Sequence, residues 1–209
     1  MFTGIIEEIG TVKEVEPNPS SYRLKIKAEK VLEETKESDS IAVNGVCLTV
    51  IKIERESFVV QIMPQTLYKS NLGKVRREEK VNLERAVSLN KGLGGHLVTG
   101  DVDGIGKINY IKKERGQSTW QIHYPFSLTK YVVFRGRITL DGVSLTVAEV
   151  EGEEFTVCLT PFTLNNTTFS LKKSGDLLNL EVDIFSKYVE KIISPEQGIN
   201  LKFLKKAGY

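Results

Sequence analysis

Apolar and polar residues alternate with a period of two along much of this chain. Tyr22, Leu24 and Ile26 are interleaved with Arg23, Lys25 and Lys27, the pattern of a strand with one buried face. Residues 41–50, 51–53, 58–62 and 81–84 extend the same reading, and residues 4–12 predict a strand that begins almost at residue 1. Turn signals separate them. Residues 16–21 contain two prolines, and Asn44-Gly45 is a hairpin dipeptide inside the 41–50 stretch. Residues 31–37 predict a short helix or turn, and Pro64-Gln65-Thr66-Leu67 breaks the sheet ahead of a short helix. The run Arg76-Arg77-Glu78-Glu79-Lys80 reads as a solvated loop. Many short strands at near-regular spacing predict small antiparallel barrels, whose closure removes exposed edges.

The pattern occurs twice. Val43-Asn44-Gly45-Val46-Cys47-Leu48-Thr49-Val50 returns 97 positions later as Leu140-Asp141-Gly142-Val143-Ser144-Leu145-Thr146-Val147. At the same offset Phe58, Val60, Pro64, Thr66 and Leu67 match Phe155, Val157, Pro161, Thr163 and Leu164, and Asn82-Leu83-Glu84 matches Asn179-Leu180-Glu181. At an offset of 96, Thr3-Gly4 matches Thr99-Gly100 and Ile9-Gly10 matches Ile105-Gly106. Matches that keep order and spacing over such a length point to duplication of a whole domain. The expected units are residues 1–97 and 98–195. A tail at 184–209 belongs to neither. Its stretch 184–193 and the shorter 201–206 place apolar residues at helical spacing, as an oligomerisation element would. In the second unit, residues 112–116 predict a charged hairpin turn and 127–133 a short helix.

Composition narrows the classes. With 209 residues, 40% hydrophobic and 27% charged, the chain can bury ordinary cores. A net charge of +2 does not suggest a nucleic-acid surface. There is no apolar run of about 18 residues and no basic-then-apolar leader, and the repeat starts at Met1, so a cytoplasmic protein without a membrane partner is expected. Cys47 and Cys158 sit at non-equivalent repeat positions and form neither a disulfide framework nor a metal cluster. The linker at 88–95 is Gly-rich but lacks the Gly-Lys-Ser/Thr ending of a phosphate loop, and Gly104-x-Gly106 lies inside a strand pattern.

The opening Met-Phe-Thr-Gly, the two motif copies and Gly94-Gly95-His96-Leu97-Val98-Thr99-Gly100 together resemble the riboflavin synthase family of the alpha-chain type, over essentially the whole chain. The resemblance implies a mainly β fold of two homologous six-stranded antiparallel Greek-key barrels plus a C-terminal α-helix, assembled as a homotrimer. It implies a dismutation in which one 6,7-dimethyl-8-ribityllumazine gives a four-carbon unit to another, yielding riboflavin and 5-amino-6-ribitylamino-uracil. No cofactor or metal is implied, the site lies between subunits, and lumazine synthase is a further partner.

Carried over by position, the first pocket is expected to use Gly4, Ile5, Ile6, Cys47, Leu48, Thr49 and Gln61, Ile62, Met63, Pro64, Gln65 and Thr66. The second is expected to use Gly100, Asp101, Val102, Arg135, Ser144, Leu145, Thr146 and Cys158, Leu159, Thr160, Pro161, Phe162 and Thr163, with Phe2 shaping the interface. Ser144, Asp141 and Cys47 carry the expected chemistry: a group that adds to or polarises one ring, a carboxylate that orients it, and a thiol on the other ring. Two positions depart from the family pattern, Asp101 where it has His and Arg135 where it has Lys. A carboxylate serves as a base in place of imidazole only if its surroundings raise its pKa; these departures leave open a non-catalytic lumazine- or flavin-binding protein of antenna or carrier type. A flavin oxidoreductase would need a further domain that the chain has no room for.

Overall fold

The computed structural model describes residues 1–18, 21–88 and 92–193. The alternating stretches close into two barrels. The first contains β1 (Glu8–Asn18), β2 (Ser21–Lys27), β3 (Ser40–Val43), β4 (Val46–Glu54), β5 (Ser57–Ile62) and β6 (Lys80–Arg85), in the closed order β1-β2-β5-β4-β3-β6. The second contains β7 (Gly104–Glu114), β8 (Gln117–His123), β9 (Arg137–Leu140), β10 (Val143–Glu151), β11 (Glu154–Leu159) and β12 (Leu177–Val182), in the equivalent order. All pairings are antiparallel, and the bulges fall at matching places, after Val12 and Ile108 and after Val50 and Val147. Each barrel is interrupted by a short helix that starts on a proline, α1 (Pro64–Lys69) and α2 (Pro161–Asn165), where the missing N–H costs nothing.

The alternation sorts side chains as expected. Val46, Leu48 and Val50 of β4, and Val143, Leu145 and Val147 of β10, point into the cores, so Cys47, Thr49, Ser144 and Thr146 point out. The second core is more aromatic. Trp120 packs on Phe169, and Tyr124 on Phe155, whereas the first barrel has Leu24, Leu72 and Ala28 where the second has Trp120, Phe169 and Tyr124.

The N-terminal strand is shorter than the sequence predicts. β1 starts at Glu8, and residues 1–6 form an arm. Gly4 adopts φ +77, and Glu84 of β6 accepts from the N–H and hydroxyl of Thr3 (2.7 Å each) and the N–H of Gly4 (3.0 Å), which turns the chain out of the strand. The arm preceding β7 does the same: Glu181 of β12 accepts from the N–H and hydroxyl of Thr99 and the N–H of Gly100, at the same distances. The two arms pair antiparallel through Phe2 and Val98, equivalent repeat positions that meet on the pseudo-twofold axis.

The expected helix at the end of the second unit is α3 (Ile184–Ile193). Lys187 pairs with Asp103 at 2.6 Å and Glu190 with Lys130 at 2.6 Å, docking α3 on the second barrel. Phe185, Tyr188, Val189, Ile192 and Ile193 remain exposed. Pro19 and Ser20 of the first turn, residues 89–91 of the linker and the stretch 201–206 lie outside the described residues.

Candidate functional site

The duplicated motif builds the joint between the barrels. Asn44-Gly45 and Asp141-Gly142 are two-residue hairpin turns with φ of 46 and 79 and of 43 and 81, the left-handed pair that tight hairpins demand. The turns stack on each other. A Cβ added to Gly45 would stand 2.6 Å from the backbone N of Gly142, and one on Gly142 would stand 2.8 Å from that of Gly45. Glycine is therefore needed twice over, for its φ and for the close approach.

Asparagines lace this joint. Asn82 donates to the carbonyl of Asp141 at 2.9 Å, and Asn179 to that of Asn44 at 2.8 Å. Asn44 Oδ1 accepts from the N–H of Asn82, and Asp141 Oδ1 from that of Asn179, each at 2.8 Å. Asp141 also accepts from Asn71 Nδ2 at 2.7 Å, and its Oδ2, which has no hydrogen bond of good geometry, faces the Lys172 ammonium at 3.0 Å. Burial pushes the Asp141 carboxyl above its ordinary pKa, opposed first by Lys172 and then by the Asn179 N–H. Asp141 is 0% exposed, so the residue expected to orient a ring has no surface to offer one.

Beyond the turns, each motif strand meets the arm of the other repeat. The Ser144 N–H donates to the Gly4 carbonyl at 2.8 Å, and the Cys47 N–H to the Gly100 carbonyl at 3.0 Å. Ile6 packs against the core of the second barrel and Val102 against that of the first. This exchanges part of the expected pockets: Gly4, Ile5 and Ile6 lie on the second barrel's flank, and Gly100, Asp101 and Val102 on the first's. Position along the repeat does not reveal that the arms cross. Phe2 is fully buried on the axis beside Gly100.

The structure also brings in His96, a residue the sequence leaves without a role. Its N–H donates to the Thr3 carbonyl at 3.1 Å, and its Nδ1 lies 2.8 Å from Ser144 Oγ. Close fit fixes this contact, since a Cβ on Gly95 would stand 2.9 Å from Ser144 Cβ. Burial lowers the His96 pKa below the ordinary histidine value; Asp183 opposes this and Arg137 reinforces it. The lowered pKa favours the neutral imidazole, whose Nδ1 shares one hydrogen bond with the Ser144 hydroxyl. The signal was the Gly94-Gly95-His96 run, readable as a feature but not as a neighbour of a serine 48 positions away. Arg137 is the second such residue: opposite Thr146 across β9 and β10, it donates to that hydroxyl at 3.0 Å.

The remaining expected residues divide by orientation. Leu48, Ile62, Leu145 and Leu159 face the cores. Gln61, Met63, Pro64, Gln65, Cys158, Thr160, Pro161 and Phe162 are exposed, with Thr66 and Thr163 half-buried beside them. Thr160 caps α2 by accepting from the Thr163 N–H, and Gln61 donates to Ser21. Asp101 and Arg135 are exposed; the Arg135 guanidinium lies 5.0 Å from the Phe134 ring. Beside the first motif, Glu34, Asp39, Ser40 and Arg85 line a cavity of about 440 Å³. Among the described residues no cluster of three or more His, Cys, Asp or Glu is placed to hold a metal.

A family model described as the lumazine binding domain matches the chain twice, over residues 3–86 and 99–183. The riboflavin synthase of Actinobacillus pleuropneumoniae is 39% identical over 215 residues, covering all of both chains. That of Schizosaccharomyces pombe is 42% identical over 92% of this chain and 94% of its own. Among solved structures, LumP complexed with riboflavin superposes with a TM-score of 0.82 at 24% identity, covering 88% of this chain and all of the other; at that identity the likeness speaks for the fold.

Proposed function

The chain belongs to the lumazine-binding domain family, whose domain it carries twice, and we propose that it is a riboflavin synthase. Two molecules of 6,7-dimethyl-8-ribityllumazine are converted to riboflavin and 5-amino-6-ribitylamino-uracil, a four-carbon transfer that balances in atoms and electrons between substrates and products. The observation that carries the reading is the 2.8 Å contact between His96 Nδ1 and Ser144 Oγ on the outer face of the second barrel. A neutral histidine hydrogen-bonded to an outward-facing hydroxyl supplies the base and the polarising group that addition to a ring requires. In this reading Ser144 and His96 act on one ring, and Cys47 bears on the other. Asp101 stands on the Cys47 side, and Asp141 is a positioning residue that fixes the turn from which β10 starts.

Cys47 lies against Gly100 and Ser144 against Gly4, so each of the two side chains belongs to its own barrel's flank. In this reading the two rings that must meet are supplied by two subunits, the first barrel of one facing the second barrel of another, which makes a bimolecular step effectively unimolecular. The exposed apolar side of α3 supports a homotrimer built through the tail.

Mixing the protein with 6,7-dimethyl-8-ribityllumazine and following riboflavin optically tests the reading. Two lumazines consumed per riboflavin formed, with loss of turnover in His96→Gln, is the expected result. Binding without product would favour the second reading, a binding protein, for which LumP structures with lumazine and riboflavin are the precedent. The 39–42% identity to synthases, against 23–24% to LumP, favours the enzyme.

A further inference from the structure

The two barrels keep their aromatic rings in different places. In the second, Trp120 and Phe169 are buried with ring centroids 5.1 Å apart, and the indole N–H donates to the Ser118 hydroxyl at 2.9 Å. The strand register identifies their counterparts in the first. Leu24 pairs with Val60 as Trp120 pairs with Val157, so Leu24 stands for Trp120 and Tyr22 for Ser118. At the offset of 97, Leu72 stands for Phe169 and Tyr68 for Asn165. Two rings are thus missing from the inside of the first barrel, and two have been gained at its surface. Leu24 and Leu72 are buried, whereas Tyr22 and Tyr68 are exposed, Tyr68 at 93%. The space is not closed up by the smaller side chains. Leu24, Leu67, Leu72 and Val75 line a cavity of about 190 Å³, and both tyrosines contribute to its walls.

We infer that this cavity is a binding site for a small, uncharged, planar aromatic molecule of one or two fused rings, seated where the second barrel places the rings of Trp120 and Phe169. The inference stands apart from the lumazine reading. The class of occupant follows from the repeat itself, since the same closed strand order, in the same register, accommodates an indole and a phenyl ring at these positions. An apolar cavity of about 150 Å³ stays dry and takes up benzene, so one of about 190 Å³ has room for a somewhat larger ring. The aliphatic lining excludes a charged molecule, because an ion buried without a partner is costly. Tyr22 and Tyr68 offer a bound ring edge or stacked contacts, and their hydroxyls can accept a ring N–H as Ser118 accepts that of Trp120. Leu67 and Tyr68 belong to α1, so an occupant braces the helix whose first turn carries Pro64, Gln65 and Thr66 of the expected first pocket.

Indole titrated into the full-length protein, with leucine and valine methyl groups labelled for NMR, tests the site. Saturable shifts are expected at Leu24, Leu67, Leu72 and Val75, with a dissociation constant of roughly 0.1–1 mM, the range for so small a ligand. The methyls of Leu164, the counterpart of Leu67, should stay in place. The double variant Tyr22→Ser with Leu24→Trp rebuilds the second barrel's filling and should weaken binding more than about tenfold, because the ring then has no space to enter. Thermal unfolding checks that this variant folds; if it does not, Leu72→Phe, a smaller filling change, decides the matter and should weaken binding in the same sense. Binding that survives the filling substitutions overturns the inference. So do shifts centred on the outward motif strands or shared equally by Leu164, and so does the absence of any saturable shift up to the solubility of indole.

Discussion

The two hairpin turns at the barrel joint differ by one atom type, and that difference reorganises their surroundings. Asn44 is satisfied by the N–H of Asn82. Around it the second repeat contributes Thr168, whose N–H donates to Asn82 Oδ1 and whose hydroxyl is buried without a partner. Asp141 carries a charge into an equally buried place. The first repeat answers with Asn71 where the second has Thr168, and the second supplies Lys172 where the first has Val75. A duplicated scaffold can therefore hold a charged and a neutral version of one turn, provided the partners change with it.

Breaking the charged version should produce the largest effect. Lys172→Met leaves Asp141 buried without its cation and is expected to cost roughly 3–5 kcal/mol in urea unfolding. The double variant Asp141→Asn with Lys172→Val recreates the first turn's arrangement and should recover most of that loss. Since burial raises the Asp141 pKa, its contribution is full below the ordinary carboxylate value and declines as pH rises through the raised folded value, so the Lys172→Met deficit should grow with pH. Next come Gly45→Ala and Gly142→Ala, each expected to cost about 3 kcal/mol by the same measurement, because a Cβ there meets the facing turn's backbone. The two should be about equal, as the turns are mutual neighbours; a much smaller cost at one would mean the joint is looser than its geometry.

Effects on turnover distinguish the flanks further. Ser144→Ala is expected to lower riboflavin formation about a hundredfold, the scale of losing assisted proton transfer, with Cys47→Ala falling roughly tenfold. Equal losses would remove the division of labour between the barrels. The smallest effect is the pH dependence of His96. Its depressed pKa means the unfolded chain binds the proton more readily, so stability is lost as pH falls from about 6.5 toward the folded value and is flat below it. Activity should fall on the same acid limb. With only His96 and His123 in the chain, proton NMR with His123→Gln as the assignment control reads this directly.

Much of this was legible beforehand because it is local. The period-two alternation fixed which residues of β4 and β10 point inward, so Cys47 and Thr49 could be assigned to the outer face of the first barrel, and Ser144 and Thr146 to that of the second, from the letters alone. Asn-Gly and Asp-Gly specified the turns, and the repeat specified that there would be two barrels. Pairings between distant residues were not legible. Nothing in the alternation of residues 4–12 shows that Gly4 will be bent away by a glutamate 80 positions later, or that the arms will exchange flanks. His96 and Ser144 meet only because Gly95 lets the backbone of one repeat press on the motif strand of the other.

The sequence by itself determined the duplication, the strands, their inward and outward faces and the outward set of reactive side chains, because these follow from chain periodicity and backbone sterics within a few residues. Tertiary structure alone decided that Asp141 is sealed in the joint, that Asp101 belongs to the first flank, and that His96 stands beside Ser144. Those outcomes depend on which surfaces close against each other, and burial and charge proximity exist only once they have closed.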